Sequence, residues 1–276
     1  MKFRLLIIFL TSFIFFSCGA TSIKTGEIRI KGSDTMRLMV KKLAEEYMLE
    51  HNEIHILVEG GGSGLGIKEL INNEIDICTS SRDLEAEEVK LIAKKFGSIG
   101  ISTLIARDGI GVFVNKSNPV KNLSMEELRK IYLGEIANWN AINGQDLSIL
   151  PIARNDFSGT ALHFKTRVLH GQDFSETVDI ESNLEKLFNR VKSNTNAIGF
   201  SGLGYQSDCK LVSINGVFPF EENIKDLTYP LSRYLHFYTI SPPSGLIKSF
   251  IDWVLSPKGQ KIIKEFGFVS LYNFSY

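Results

Sequence analysis

Gly60-Gly61-Gly62-Ser63-Gly64-Leu65-Gly66-Ile67-Lys68 is the stretch around which the rest of the chain is arranged. Just before it, Ile54-His55-Ile56-Leu57-Val58 alternates and is β-branched, the pattern of a strand. Just after it, Ile67-Lys68-Glu69-Leu70-Ile71 has the i, i+3, i+4 apolar spacing of a helix start. A glycine-rich turn between strand and helix leaves backbone N–H groups uncovered by side chains. The helix N-terminus adds unpaired donors and the positive end of its dipole. Such a turn suits an anion.

The same device recurs. Glu27-Ile28-Arg29-Ile30-Lys31 alternates as a strand and Gly32-Ser33-Asp34-Thr35 turns into a helix over Met36–Glu50, N-capped by Ser33 or Asp34. Ile75-Asp76-Ile77-Cys78-Thr79 is a short buried strand ending in Ser80-Ser81-Arg82, and a charged helix over Leu84–Lys95 follows. Ile149 to Ala153 is another strand, ending in Arg154-Asn155-Asp156-Phe157-Ser158-Gly159-Thr160 before a helix over Ala161–Leu169. Arg154 supplies a planar guanidinium that can grip an oxyanion with two parallel bonds. Alternating β and α elements imply an α/β fold with a mostly parallel sheet, whose ligand sits at the carboxyl ends of the strands.

Elsewhere the pattern predicts two β runs, Ile99–Ile105 and Gly109–Asn115, separated by Ala106-Arg107-Asp108. Ser124-Met125-Glu126-Glu127 is a capping box opening a helix over Leu128–Tyr132. A loop over Gly134–Asn143 holds Trp139. Beyond it come a helix at Phe188–Lys192, strands at Ala197–Phe200, Lys210–Phe220 and Leu235–Ile240, and helices over Ser244–Leu255 and Lys258–Phe266.

Residues 1–17 read as a signal peptide: a basic Met1-Lys2-Phe3-Arg4 start, then an apolar run from Leu5 to Phe16 that is short for a membrane span. Phe16-Ser17-Cys18-Gly19 resembles the lipobox of bacterial lipoproteins, in which Cys18 is lipidated, although an aromatic stands at position −3. Residues 18–26 then form a polar tether. Lys plus Arg and Asp plus Glu number 31 each, with no basic run, RNP-like aromatics or zinc spacing, so nucleic acid is excluded as a partner. Cys78 and Cys209 are either two apolar core residues or a single bridge.

Catalytic motifs are missed one by one. A P-loop from Gly61 finds Ile67 where its lysine belongs, Gly62, Gly64 and Gly66 are spaced too evenly for a dinucleotide fingerprint, and neither Ser63 nor Ser201 completes a nucleophile elbow. His51 and His55 flank a turn with the Glu misplaced for a zinc protease, and His163 and His170 read as a solvent-facing pair on one helix. No metal, cofactor or catalytic triad is expected. What recurs is oxyanion recognition without a nucleophile–base pair.

The chain resembles the phosphate-binding proteins of bacterial phosphate ABC transporters (PstS type) over nearly its whole mature length. Gly32-Ser33-Asp34-Thr35-Met36, Gly60 to Lys68, Asp76 to Arg82, Arg154 to Thr160, Asn196-Ala197-Ile198-Gly199-Phe200, Tyr229-Pro230-Leu231-Ser232-Arg233 and Ser256-Pro257-Lys258-Gly259-Gln260 carry the likeness. The resemblance implies a two-lobed periplasmic-binding-protein fold of type II. Each lobe is a mixed, mostly parallel sheet flanked by helices, and a two-segment hinge joins them. Residues 27–106 plus 237–276 are expected as lobe I and 107–236 as lobe II, with crossings near Ala106–Gly109 and Arg233–Phe237. Phosphate is expected to bind at Ser33, Asp34, Thr35, Ser63, Gly64, Ser81 and Arg82 of lobe I and at Arg154, Ser158, Gly159 and Thr160 of lobe II. The partners implied are an inner-membrane ABC permease and, through a lipid on Cys18, the periplasmic face of the membrane; the chain is expected to be a monomer. In much of the family an Asp accepts the proton of hydrogen phosphate at the position aligned with Ser81. That departure leaves Asp34 or Asp156 as acceptor, or Asp156 as a brace for Arg154, and keeps open a receptor for sulfate or molybdate. A secreted hydrolase or phosphatase using Ser63 or Ser158 is the remaining alternative.

Overall fold

The computed structural model describes residues 26–204 and 208–272. Its elements, in chain order, are β1 (Gly26–Gly32), α1 (Arg37–Glu50), β2 (Ile54–Glu59), α2 (Ser63–Asn72), β3 (Ile77–Ser80), α3 (Ala86–Phe96), β4 (Ile101–Val114), β5 (Asn122–Leu123), α4 (Met125–Tyr132), β6 (Leu150–Arg154), α5 (Gly159–Val168), β7 (Asp179–Glu181), α6 (Leu184–Ser193), β8 (Ala197–Gly202), β9 (Lys210–Ile214), α7 (Glu221–Lys225), β10 (Ser232–Thr239), α8 (Gly245–Leu255) and α9 (Pro257–Glu265). The signal peptide, Cys18 and most of the tether lie outside the described residues.

The strands run β2-β1-β3-β10-β4-β8-β6-β7, with β9 beside β4 and β5 beside β9. Pairing is parallel within β2-β1-β3 and within β8-β6-β7, the two halves built from strand–helix units. β10 and β4 run antiparallel between those halves and stitch them together. Each half therefore follows the parallel α/β logic, with helices covering its apolar faces.

The 14-residue β4 replaces the two runs expected on either side of Ala106-Arg107-Asp108. Two charged residues are accommodated within this strand. Arg107 exchanges backbone hydrogen bonds with Val269 (2.8 and 2.9 Å), and Asp108 has an arginine opposite it on β10. The first part of β4 pairs with β10 and its end with β8 and β9, so one strand serves both lobes.

The cores divide along the same line. Ile105 and Ala106 bury with Ile28, Met39, Leu43, Leu235 and Phe250, whereas Ile110 and Val112 bury with Tyr132, Phe164, Phe200, Tyr229 and Leu231. The returning chain stays beside the outgoing one: Ile110 N–H donates to Leu231 O (2.9 Å) and Tyr229 Oη donates to Ile110 O (2.8 Å). Cys78 packs with Ile67, Leu70, Ile75 and Tyr238, and Cys209 against the cluster around Leu187 and Phe188, so each thiol belongs to a different apolar cluster.

Two local expectations also shift. The helix after the glycine stretch begins at Ser63 rather than Ile67, so Gly64 and Gly66 are helical. Gly66 is needed because a Cβ there would lie 2.6 Å from Gly32 Cα and 2.7 Å from Lys31 O, which lets α2 lie directly against β1. Trp139 sits in a short 3₁₀ turn within its loop and is buried, its indole N–H donating to Asn196 O (2.9 Å).

Candidate functional site

The strand ends and helix N-termini of the two halves meet face to face. On the first half, Gly62 N–H donates to Gly32 O (2.9 Å), tying the glycine stretch to the turn after β1. Gly61 N–H donates to Asp34 Oδ1 (2.8 Å). Gly61 and Gly62 hold φ of +116° and +101°, a region that favours glycine. Ser63 opens α2 with its side chain fully buried; its Oγ accepts from Ser81 N–H (3.2 Å) and lies 3.4 Å from Ser81 Oγ. Ser33 and Thr35 are buried beside them, with Ser33 N–H bonded to Thr79 O (2.9 Å).

On the second half, Arg154 is the last residue of β6 and only 4 % exposed. Ser158 caps α5, its Oγ accepting from Ala161 N–H (3.3 Å), and Gly159 and Thr160 form the helix start. Several contacts join the halves here. Arg154 Nη2 donates to Asp34 Oδ2 (2.8 Å), Gly64 N–H donates to Phe157 O (3.1 Å), Thr35 Oγ1 and Thr160 Oγ1 are 3.2 Å apart, and Arg233 joins Thr160 to Ser81. The approach is so close that a Cβ on Gly159 would lie 2.2 Å from Ser63 Oγ. Arg154 Nε is buried and has no hydrogen-bond partner. Buried polar groups rarely stay unpaired, so this free donor is suited to an anion.

Of the residues expected at the site, Asp34, Thr35, Ser63, Gly64, Ser81, Arg154, Gly159 and Thr160 are joined by these contacts, with Ser33 and Ser158 at their edges. Arg82 stands differently. It is buried, but both its terminal nitrogens go to Glu88 (2.8 and 2.7 Å) and Nη1 also donates to Asp83 O (2.8 Å). Burial works against its charge, and the Glu88 hydrogen bonds and charge outweigh that, raising its pKa. Its fork is thus turned to Glu88, although Nη2 passes 3.9 Å from where a Gly64 Cβ would sit. Asp156, considered as proton acceptor or as a brace for Arg154, does neither: its side chain is 83 % exposed and pairs with Lys165 (2.7 Å). The brace is Asp34.

Two residues central to the site are absent from the sequence-based set. Arg233 Nε and Nη2 donate to Asp108 Oδ2 (2.9 and 2.7 Å), while its Nη1 reaches Ser81 O (3.1 Å) and Thr160 Oγ1 (3.0 Å). Both side chains are essentially fully buried. Burial pushes the Asp108 carboxyl up from its usual range, opposed by the Arg233 charge and by N–H groups of Leu203 and Gly109. Gly202 makes room for the pair, since a Cβ there would lie 2.7 Å from Asp108 Oδ2 and 2.9 Å from Arg233 Nη2. In the sequence Asp108 falls in the gap between two expected strands and Arg233 just ahead of a third, and their pairing across 125 positions was not visible. His163, expected to share a solvent-facing surface with His170, is largely buried, and His170 lies beyond the end of α5.

A family model described as a PBP superfamily domain matches residues 19–258. The phosphate-binding protein PstS of Bacillus subtilis (strain 168) is 33 % identical over 250 residues, covering 89 % of this chain and 81 % of that protein. PstS of Borreliella burgdorferi is 28 % identical over 258 residues, covering 88 % and 90 % respectively. Among solved structures, a Clostridium perfringens protein assigned as a phosphate ABC transporter substrate-binding protein, with bound phosphate, superposes with a TM-score of 0.81. It is 30 % identical and the match covers 89 % of this chain and all of that one. An ABC-type phosphate transport receptor from Vibrio cholerae gives a TM-score of 0.74 at 31 % identity over 88 % of this chain and 99 % of that one.

Proposed function

The chain belongs to the PBP superfamily, and from that premise we propose that it is the extracytoplasmic receptor of a phosphate importer. It captures inorganic phosphate between its two lobes and delivers it to an ABC permease. The observation that carries this reading is Arg154, buried at the end of β6 with Nε unpaired and Nη2 bonded across the lobes to Asp34, while the Ser63, Ser81, Thr35 and Thr160 hydroxyls are buried in the same seam between the lobes. The ligand replaces water with Arg154, the Ser63 and Ser81 hydroxyls, Thr35, Thr160 and the N–H groups that open α2 and α5. Enclosure between lobes strengthens each of these charge-assisted bonds, and the ligand shifts the hinge equilibrium toward contact. Lobe I comprises residues 27–106 and 237–276 and lobe II residues 107–236. Lipid on Cys18 holds the monomeric receptor at the periplasmic face of the membrane through the 18–26 tether.

A second reading, a receptor for another oxyanion such as sulfate or molybdate, is favoured by one observation. Both carboxylates at the site are occupied: Asp34 by Arg154 and Gly61, Asp108 by Arg233 and Leu203. Each is already engaged by an arginine and a backbone N–H, which weakens its preference for a ligand that carries a proton. Calorimetric titration with phosphate and sulfate across pH 5 to 8 separates the readings. Saturable phosphate binding at one Arg154-dependent site is expected; saturation by sulfate with no phosphate event would establish the second reading instead. As for hydrolysis, Ser63 Oγ is bonded to Ser81 and Ser158 Oγ to Ala161 N–H, neither to a histidine. The relatives are binding proteins by name.

A further inference from the structure

On the hinge side of the cradle lies a second cavity of about 270 Å³ between the lobes, walled by three parts of the chain. Arg82 and Asp83 come from the segment after β3, His163 and Arg167 from α5, and Ser232, Arg233, Tyr234 and His236 from β10. His163 and Arg167 are four residues apart and share one helix face. Three of these side chains carry a buried polar atom with no partner: Arg82 Nε, His163 Nε2 and Ser232 Oγ. A single unpaired group of this kind costs on the order of 1–3 kcal/mol, and native proteins keep few of them. Three lining one cavity indicate an occupant that supplies polar atoms.

Among the described residues, one cation of the cavity lacks an ion-pair partner. Arg82 is matched by Glu88 and Arg233 by Asp108, but Arg167 has no carboxylate partner among the described residues. It is exposed, and its Nε donates to Pro230 O (3.4 Å), leaving the terminal nitrogens of its fork. The nearby acid, Asp83, is 89 % exposed at the rim and lies 3.5 Å from His236 Nε2. His163 registers the same field: burial first, then the charges of Arg233, Arg167 and His236, hold it neutral with a pKa lowered to about 3.

The geometry points to a second anion site in this cavity, for a small oxyanion such as phosphate or a carboxylate. The anion is held by the Arg167 fork, the Arg82 Nε–H and the Ser232 hydroxyl. Ser63, Ser81, Arg154 and Thr160 do not line it, so it is separate from the cradle, and Arg233, which bonds Ser81 and Thr160, forms the wall between the two. Its ligands come from both lobes and the crossing strand, so an anion there favours the lobes in contact. By linkage it then raises affinity at the cradle, and the cradle's ligand raises affinity here.

The test is calorimetric titration of the full chain with inorganic phosphate to millimolar excess. Arg154→Ala reports on the cradle, and Arg167→Ala and Ser232→Ala on the hinge cavity. Two events are expected, the weaker reduced at least ~10-fold by Arg167→Ala, the scale of losing one charge-assisted bidentate contact. Ser232→Ala, a small change at a partly exposed residue, should weaken the same event. Arg154→Ala should remove the tighter one and, through the linkage, weaken the other without abolishing it. The site is overturned if native protein shows a single event, as a cavity holding only water predicts, or if the weaker event survives Arg167→Ala unchanged. Absence of an Arg154-dependent event would instead refute the phosphate reading of the cradle, so the two failures are distinguishable.

Discussion

Replacing Arg154 tests the cradle most directly. Its side chain is 4 % exposed, Nη2 is bonded to Asp34 at 2.8 Å, and Nε is buried with no partner. In Arg154→Ala the bound anion loses its buried counter-charge. Removing one partner of a buried ionic contact costs about 3–5 kcal/mol, or roughly two to three and a half decades in Kd. The unliganded fold should respond far less. Asp34 is left without its arginine, but its side chain is 24 % exposed and water can take over. The orphaned Nε, itself a cost, disappears with the side chain. The unliganded melting temperature is therefore expected within about 3 °C of the parent, given roughly 2–4 °C per kcal/mol for a chain of this size. Arg154→Lys keeps the charge but loses the planar fork and should bind about tenfold or more weakly. Titration gives the affinities, and thermal melts with and without phosphate give a second readout. Ligand at 100 times Kd stabilises the parent by about 2.7 kcal/mol, and that shift should vanish in Arg154→Ala. An alanine variant that keeps affinity within about threefold, or that loses folding as completely as binding, would refute the assignment.

Gly62→Ala combines a φ of +101° with a Cβ 2.2 Å from Phe157 O on the opposite lobe, so it should oppose lobe contact and weaken phosphate binding at least ~10-fold. Gly97→Ala, also at positive φ but with nothing within 4 Å, should cost about 1 kcal/mol in stability and leave affinity unchanged by titration. Asp108→Asn leaves Arg233 buried without its counter-charge and should lose about 3–5 kcal/mol in urea unfolding, whereas the double change Asp108→Leu with Arg233→Met should recover much of that stability while losing affinity. His163 is neutral in the fold with a pKa near 3, below its ordinary value of 6.5, so between these pH values the unfolded chain binds a proton that the folded chain does not. Stability should therefore fall as pH drops from about 6.5, and His163→Gln should remove up to ~1.4 kcal/mol per pH unit of that slope in denaturant titrations; an unchanged slope would contradict the burial of this ring. Cys18→Ala should release the chain from the membrane fraction and abolish incorporation of labelled palmitate.

The strand–turn–helix units at Gly32–Thr35, Gly60–Lys68, Ser80–Arg82 and Arg154–Thr160 were legible in the sequence because their determinants are local. Alternation makes the strand, glycine and hydroxyl residues make the turn, and apolar spacing makes the helix. The capping box at Ser124 was legible for the same reason, and Ser124 Oγ does accept from Glu127 N–H (3.1 Å). Local rules failed where packing intervened. The helix start at Ser63 was missed because glycines weaken a helix locally, while Gly66 is held there by the closeness of β1. The continuity of β4 was missed because Arg107 and Asp108 look like a break until their partners, Val269 and Arg233, are in place.

Which acid serves which arginine was settled only in three dimensions. By sequence distance Asp156 is the natural neighbour of Arg154, two residues away, yet Asp34, 120 positions distant, holds it. Asp156 instead turns outward to Lys165 on the first turns of α5, where water solvates it. Arg82, expected among the phosphate-binding residues, is matched by Glu88. The sequence by itself therefore determined that this chain carries four anion-friendly turns on an α/β framework, because turn chemistry is written within a few residues. The tertiary structure alone decided which donors remain unpaired to meet the anion, because charges inside a protein are apportioned by burial and distance rather than by order along the chain.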